Sequence, residues 1–225
     1  MSDQLSTITN IVFIDAAVPD YRTLIAGLPN NSTYFVLDTQ KDGVAQIEQY
    51  LAGYSNLDSI QILSHGSQGS LYLGNTVLSN NTLKKYQDQL ASIGSHLKDT
   101  GDILFYGCNV AQGDMGLQFI DALAKATGAD VAASNDITGS AALGSDWQLE
   151  VNTGVIEAEM ALYNSKLGNY DGILTVADIT NLSFNSGFSQ DGLTPLLSFS
   201  VELSSNFSNA NSMQLLYWAV NNEQT

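Results

Sequence analysis

Short, almost wholly apolar runs alternate along the first two thirds of the chain with longer segments whose apolar residues recur every three to four positions. Residues 11–16 (IVFIDA), 34–39 (YFVLDT), 59–66 (SIQILSHG), 102–108 (DILFYGC) and 130–136 (DVAASND) read as strands buried on both faces. Segments 19–28, 43–54, 79–97 and 113–128 carry the helical period, several bounded by Asp, Asn or Gly. Such alternation predicts βαβ crossovers and an α/β fold: a mostly parallel sheet over about residues 10–135 with helices on both faces. Residues 70–79 (SLYLGNTVLS) interrupt the pattern, and Gly74-Asn75 between two alternating runs predicts a small hairpin after the third strand.

Beyond Asn135 the composition shifts to Gly, Ser, Thr and Asn, with short alternating runs at 146–159, 170–184, 196–205 and 213–222. This predicts two parts, an α/β domain over residues 1–172 and the start of a β-rich module over 173–225, with the chain expected to continue past Thr225.

Charge narrows the partners. Seven Lys+Arg against 23 Asp+Glu give a net charge of −16, which repels nucleic acid and anionic lipid and suits cationic partners or a divalent metal. The N-terminus has no basic segment followed by an apolar one, and no apolar run approaches the roughly 18 residues of a membrane span. Neither a cleaved N-terminal signal peptide nor membrane insertion is expected. The glycine patterns of dinucleotide and P-loop sites are missing, and the turn after the first strand (FIDAAVPD) has no glycine. That argues against a nucleotide binder.

The candidate chemistry sits at two strand ends. The third apolar run stops in Ser64-His65-Gly66 and the fourth in Gly107-Cys108; Cys108 is the sole cysteine and His65 one of two histidines. In open parallel sheets the functional crevice lies at the carboxyl ends of the strands. Neighbouring strands would bring His65 to Cys108, where an imidazole can take the thiol proton and generate a nucleophile. The amides of Gly66 and Cys108 are candidates for an oxyanion hole, and a helix beginning after Cys108 would favour the thiolate. His96, near a helix end, reads as a solvated residue at the helix C-terminus. A lone cysteine at the end of an apolar run is also compatible with a buried structural thiol.

A strand ending in SHG followed by one ending in GC resembles the caspase-like peptidases of clan CD, among them caspases, gingipains, legumains, clostripain, separase and the CHAT proteases. The order His then Cys is theirs. More closely, VFIDAAVPDY, ILSHGSQGSLYLG, ILFYGCNVAQG, DVAASND and LGSDWQLEVNTGVIE resemble an uncharacterised domain at the N-terminus of very large secreted bacterial proteins with cadherin-like or RTX-type repeats. The resemblance implies a caspase-like α/β domain, with His65 as base and proton donor, Cys108 as nucleophile, and Gly66 and Cys108 as oxyanion donors. It implies a polypeptide substrate, which could be the parent chain itself, and secretion or display on a bacterial cell surface.

YGCNV stands where caspases carry QACRG, so cleavage after aspartate is not implied. By the same resemblance the end of the first strand contributes to the pocket for the residue before the scissile bond (P1). Asp15 there and Asp136 in SNDITG would select Arg or Lys by charge, and cuts after Lys166 or Arg22 would fit. Equally, Asp15 could cap a helix and Asp136 a turn. No cofactor is required for the chemistry. Acidic loops GSDW, NYDG and QDG leave room for calcium as an activator, without an EF-hand or RTX pattern. The competing reading is a catalytically silent N-terminal cap of a large adhesin.

Overall fold

The computed structural model describes residues 8–29, 32–161, 169–175, 179–188 and 195–203, the last two stretches as backbone. Contacts divide the chain into two compact units, residues 1–176 and 177–225. The division falls a few residues beyond the expected one at 172.

The first unit is the expected α/β domain. Its six-stranded sheet runs β2 (Ser32–Leu37), β1 (Asn10–Asp15), β3 (Leu57–Leu63), β7 (Leu97–Tyr106), β8 (Asp130–Ala133), β9 (Val151–Asn152), all parallel except β9 at one edge. A separate three-stranded antiparallel sheet, β4 (His65–Ser67), β5 (Ser70–Leu73) and β6 (Thr76–Ser79), follows β3 directly. The hairpin turns at Gly74, where φ is +59°.

Alternate residues of the apolar runs serve two cores, as the period of two requires. Ile11, Phe13, Ile60, Ile62, Ile103 and Phe105 face a cluster closed by α2 (Gly43–Leu51), α3 (Gln87–Gly94) and α4 (Gly113–Thr127). Val12, Ile14, Leu63, Leu104 and Tyr106 face the other way, onto α1 (Tyr21–Ala26) and the irregular chain after residue 145, including Trp147, Ala161, Tyr170 and Leu174. Among the described residues, helices therefore cover both faces, three on one and one on the other.

Element ends moved where side chains intervene. The helix expected over 79–97 begins only at a 3-10 turn, Leu83–Tyr86, because Ser79 still pairs with Ser70 and its amide donates to Thr82 Oγ1 (2.9 Å), closing a turn before the helix. Strand β7 starts at Leu97, earlier than expected, pairing with Leu57 before a register shift. His96 does follow the end of α3, its amide donating to the Ile93 carbonyl, but it is half-buried: its Nδ1 lies 2.7 Å from the Tyr54 carbonyl and its own carbonyl accepts from Leu57.

The second unit contains an antiparallel pair, β10 (Ile179–Phe188) and β11 (Pro195–Leu203). Of the later runs expected to be strands, 213–222 lies outside the described residues, as do Lys166 and the QDG loop. No helix among the described residues is long and apolar enough to cross a membrane.

Buried side chains hold the irregular layer to the sheet: Asp102 in β7 accepts from the Glu157 and Ala158 amides, and Gln61 makes the larger set. Gln61, fully buried in β3, donates to the Glu159 carbonyl (2.9 Å) and accepts from the Ala161 amide (2.8 Å) and the Tyr106 hydroxyl (3.3 Å). Replacing it by leucine strips partners from two backbone groups in one stroke. Gln61→Leu is expected to lower stability by about 1–3 kcal/mol, read as a lower urea midpoint, since an orphaned buried donor or acceptor costs its desolvation.

Candidate active site

Strands β3 and β7 pair in parallel with Leu63 opposite Tyr106, and the Ser64 amide donates to the Tyr106 carbonyl (3.0 Å). The chains therefore leave the sheet side by side, carrying His65-Gly66 and Gly107-Cys108 to one edge. They run so close that a Cβ built on Gly66 would lie 2.8 Å from the Cys108 carbonyl oxygen and 2.7 Å from a Val110 methyl. Only glycine fits there. Immediately after the cysteine, Asn109 takes a left-handed conformation (φ +60°), its amide donating to the Asp136 carbonyl (2.7 Å).

The imidazole is held by one nitrogen. His65 Nε2 lies 3.1 Å from the Ala17 carbonyl, in the loop after β1, while Nδ1 is buried with no hydrogen-bond partner. A carbonyl can only accept, so Nε2 carries a proton; in the neutral imidazole the lone pair is then on Nδ1. Cys108 is wholly buried and does not bond to His65; the Thr138 amide donates to its Sγ (3.3 Å), and the thiol faces the Thr138 carbonyl (3.5 Å). Burial pushes the thiol up to about 11, aided by the Asp136 charge and opposed by the Thr138 and Leu174 amides. The thiolate expected from a nearby helix terminus is not the resting form.

The two expected oxyanion donors converge on one acceptor. The Gly66 amide (3.1 Å) and the Cys108 amide (3.3 Å) both donate to the carbonyl oxygen of Leu174. Around this carbonyl the chain is extended and paired: Leu174 N donates to Thr138 O (2.9 Å), Ser140 N to Gly172 O (2.9 Å), Ile173 bridges Gly139 antiparallel and Thr175 bridges Gly66 in parallel. Two further buried polar atoms without partners lie here, Thr138 Oγ1 and the Tyr170 hydroxyl, the latter with its ring edge-on to Trp147 at 5.5 Å. Burial, with the charges of Asp20, Cys108 and Asp171, pushes the Tyr170 phenol well above its ordinary range.

The two aspartates expected in the substrate pocket lie on either side of the candidate site, with these partners. Asp15 is 2% exposed and gives both oxygens to backbone amides, Oδ1 to Ala17 (2.8 Å) and Oδ2 to Gly74 (2.5 Å), tying the β1 loop to the hairpin. Burial raises its carboxyl above the usual range, against those amides and the neighbouring His65. Asp136 is exposed on the loop beside Cys108, where Ser134 Oγ donates to it (3.2 Å). Asp136, Asp146 and Glu150 can bring one oxygen each within 4.8 Å of one another, an acidic surface cluster. Arg22 sits in α1, exposed, over the Tyr21 ring.

Ala17, Thr138, Ser140 and Leu174 were not singled out from the sequence. The first three contribute backbone atoms, which leave no side-chain signature. Leu174 lay inside an alternating run that read as an ordinary strand.

Because the thiol is buried and protonated, iodoacetamide at pH 8 is expected to label Cys108 in the folded chain at least about a hundredfold more slowly than a free thiol, with the rate climbing towards pH 11. From its ordinary value of 9.0 up to about 11, the unfolded chain has released this proton and the folded chain has not. Stability therefore falls as pH rises through that window. Equal labelling of folded and denatured protein at pH 8 would contradict this.

No curated protein and no solved structure matches the chain. A family model does match, that of the Domain of unknown function (DUF4347), over residues 11–174, running from the first residues of β1 to the carbonyl held by the two amides. The match takes in most of the chain, which therefore belongs to the DUF4347 family.

Proposed function

We propose that the α/β unit is a cysteine endopeptidase, with Cys108 as nucleophile and His65 as base and proton donor, acting through a thioester. One observation carries the reading: amides from two adjacent strand tips, one of them the cysteine's own, converge on a single peptide carbonyl. That is the arrangement needed to stabilise the oxyanion of an acyl transfer. His65 supports it, since Nδ1 is buried, unpartnered and oriented through Nε2. A thiol held protonated at rest is no obstacle, because a general base can remove the proton as the sulfur attacks.

The polypeptide substrate is supported by the way an extended chain pairs with residues 138–140, which recognises backbone rather than one side chain. The sequence resemblance to clan CD peptidases and to domains of large secreted repeat proteins supports the same reading, with such activity at a bacterial surface. The wholly buried thiol favours a second reading, a silent cap in which Cys108 packs as a small hydrophobe.

The two separate in one assay. Wild type, Cys108→Ala and His65→Ala are incubated, with and without calcium, with fluorogenic peptides carrying Leu, Arg, Lys, Asp or Asn before the reporter. Hydrolysis that falls at least about a thousandfold in both variants is expected of the peptidase. Absence of turnover in every condition, with a thiol that no peptidyl electrophile labels, would leave the cap.

A further inference from the structure

We infer that residues Gly172 to Thr175 are a built-in substrate of this chain, with Leu174 as the P1 residue and the Leu174–Thr175 peptide as the bond cut. This rests on the peptidase reading and deepens it by naming the substrate.

A segment that merely covers a core needs apolar contacts. This one also makes a directed set of backbone bonds. Leu174 N to Thr138 O and Ser140 N to Gly172 O, both 2.9 Å, fix the stretch as an antiparallel strand on residues 138–140. That pairing delivers the Leu174 carbonyl to the Gly66 and Cys108 amides, beside the nucleophile. Side chains agree with the pose. Leu174 is wholly buried in the cluster of Val12, Ile14, Val18, Leu24, Tyr106 and Trp147, an apolar pocket that would accept leucine and exclude an unpaired guanidinium. A Cβ on Gly172 would come within 2.6 Å of the Tyr170 hydroxyl, so a larger residue two before Leu174 would displace that buried ring. Arg22, by contrast, lies within a helix and cannot pair as a strand.

The position in the chain fits a processing site. The bond lies two residues before the β-rich unit begins at Ala177, so one cut would sever the covalent link between the two units. The family match ends at Leu174.

Chemically, Cys108 gives its proton to His65 Nδ1 as Sγ bonds to the Leu174 carbonyl carbon, and the oxyanion rests on the two amides. Collapse breaks the bond to the Thr175 nitrogen, which takes the proton from His65 and becomes a new N-terminus. Water, deprotonated by His65, then adds to the thioester. The carbon–sulfur bond breaks, leaving a carboxyl group on Leu174 and the thiol restored.

The test follows purified residues 1–225 by intact mass and by sequencing any new N-terminus, for wild type, Cys108→Ala, Leu174→Arg and Thr175→Pro. Circular dichroism checks folding, and Thr175→Pro leaves the leucine pocket filled should Leu174→Arg fail to fold. Each chain is also treated with a peptidyl acyloxymethyl ketone bearing Leu at P1. The expected result is a fragment starting at Thr175 from wild type, none from Cys108→Ala, and a self-cleavage rate at least about a hundredfold lower in the other two. Leu174→Arg, its pocket vacated, is expected to take the probe on Cys108. A wild-type chain that stays whole, or is cut elsewhere, while Cys108 takes the probe would overturn the inference and leave the peptidase reading standing. If no chain is cut and none is labelled, both fall.

Discussion

The in-register parallel pairing of β3 with β7 is the constraint on which the candidate site depends. Because Leu63 opposes Tyr106, His65 and Cys108 must leave the sheet together. A one-residue slip of β7 would turn Cys108 to the opposite face, from the cluster around Tyr106 and Trp147 toward the core closed by α2, α3 and α4. The register is fixed by burial. Ile60, Ile62, Ile103 and Phe105 fill one core, Leu63, Leu104 and Tyr106 the other, and no shifted pairing satisfies both. Glycine at 66 then permits the close approach that the pairing imposes. Fold stability and site geometry are thus one requirement rather than two.

Burial at the site has opposing consequences. It raises the Cys108 thiol to about 11 and leaves His65 Nδ1, Thr138 Oγ1 and the Tyr170 hydroxyl without partners, each at a desolvation cost. The same exclusion of water strengthens the pull of the Gly66 and Cys108 amides on the carbonyl they share. Under the proposed reading, these unpaired atoms belong to a site arranged for charge that develops during reaction.

Much of this was legible in the sequence, and what was not has a physical reason. Long apolar runs identified the parallel strands, because strands buried on both faces carry little else. The pairing of His65 with Gly66 and Cys108 with Gly107 marked the strand tips. The amide bonds of Asp15 were not legible, since a carboxylate at a strand end reads the same whether it faces a ligand or, as here, two backbone amides. The helix over 79–97 was drawn too long, because the Thr82 hydroxyl bonds that make its first residues a turn have no periodicity. Thr138 and Ser140 act through main-chain atoms, for which any residue type would serve.

The least legible residue is the one the site is built around. Leu174 lies in a run of apolar and small polar residues as many strand residues do, and nothing local distinguishes a strand that joins a sheet from one that lies across the candidate site. The difference is where the hydrogen bonds end. A sheet strand gives its carbonyls to successive amides of one neighbour, whereas Leu174 gives a single carbonyl to amides of two separate strand tips. Such a junction exists only where the tips of β3 and β7 lie side by side. Under the proposed reading, the amides, the imidazole and the thiol meet the Leu174–Thr175 peptide only in the folded domain, and reactivity is confined to it.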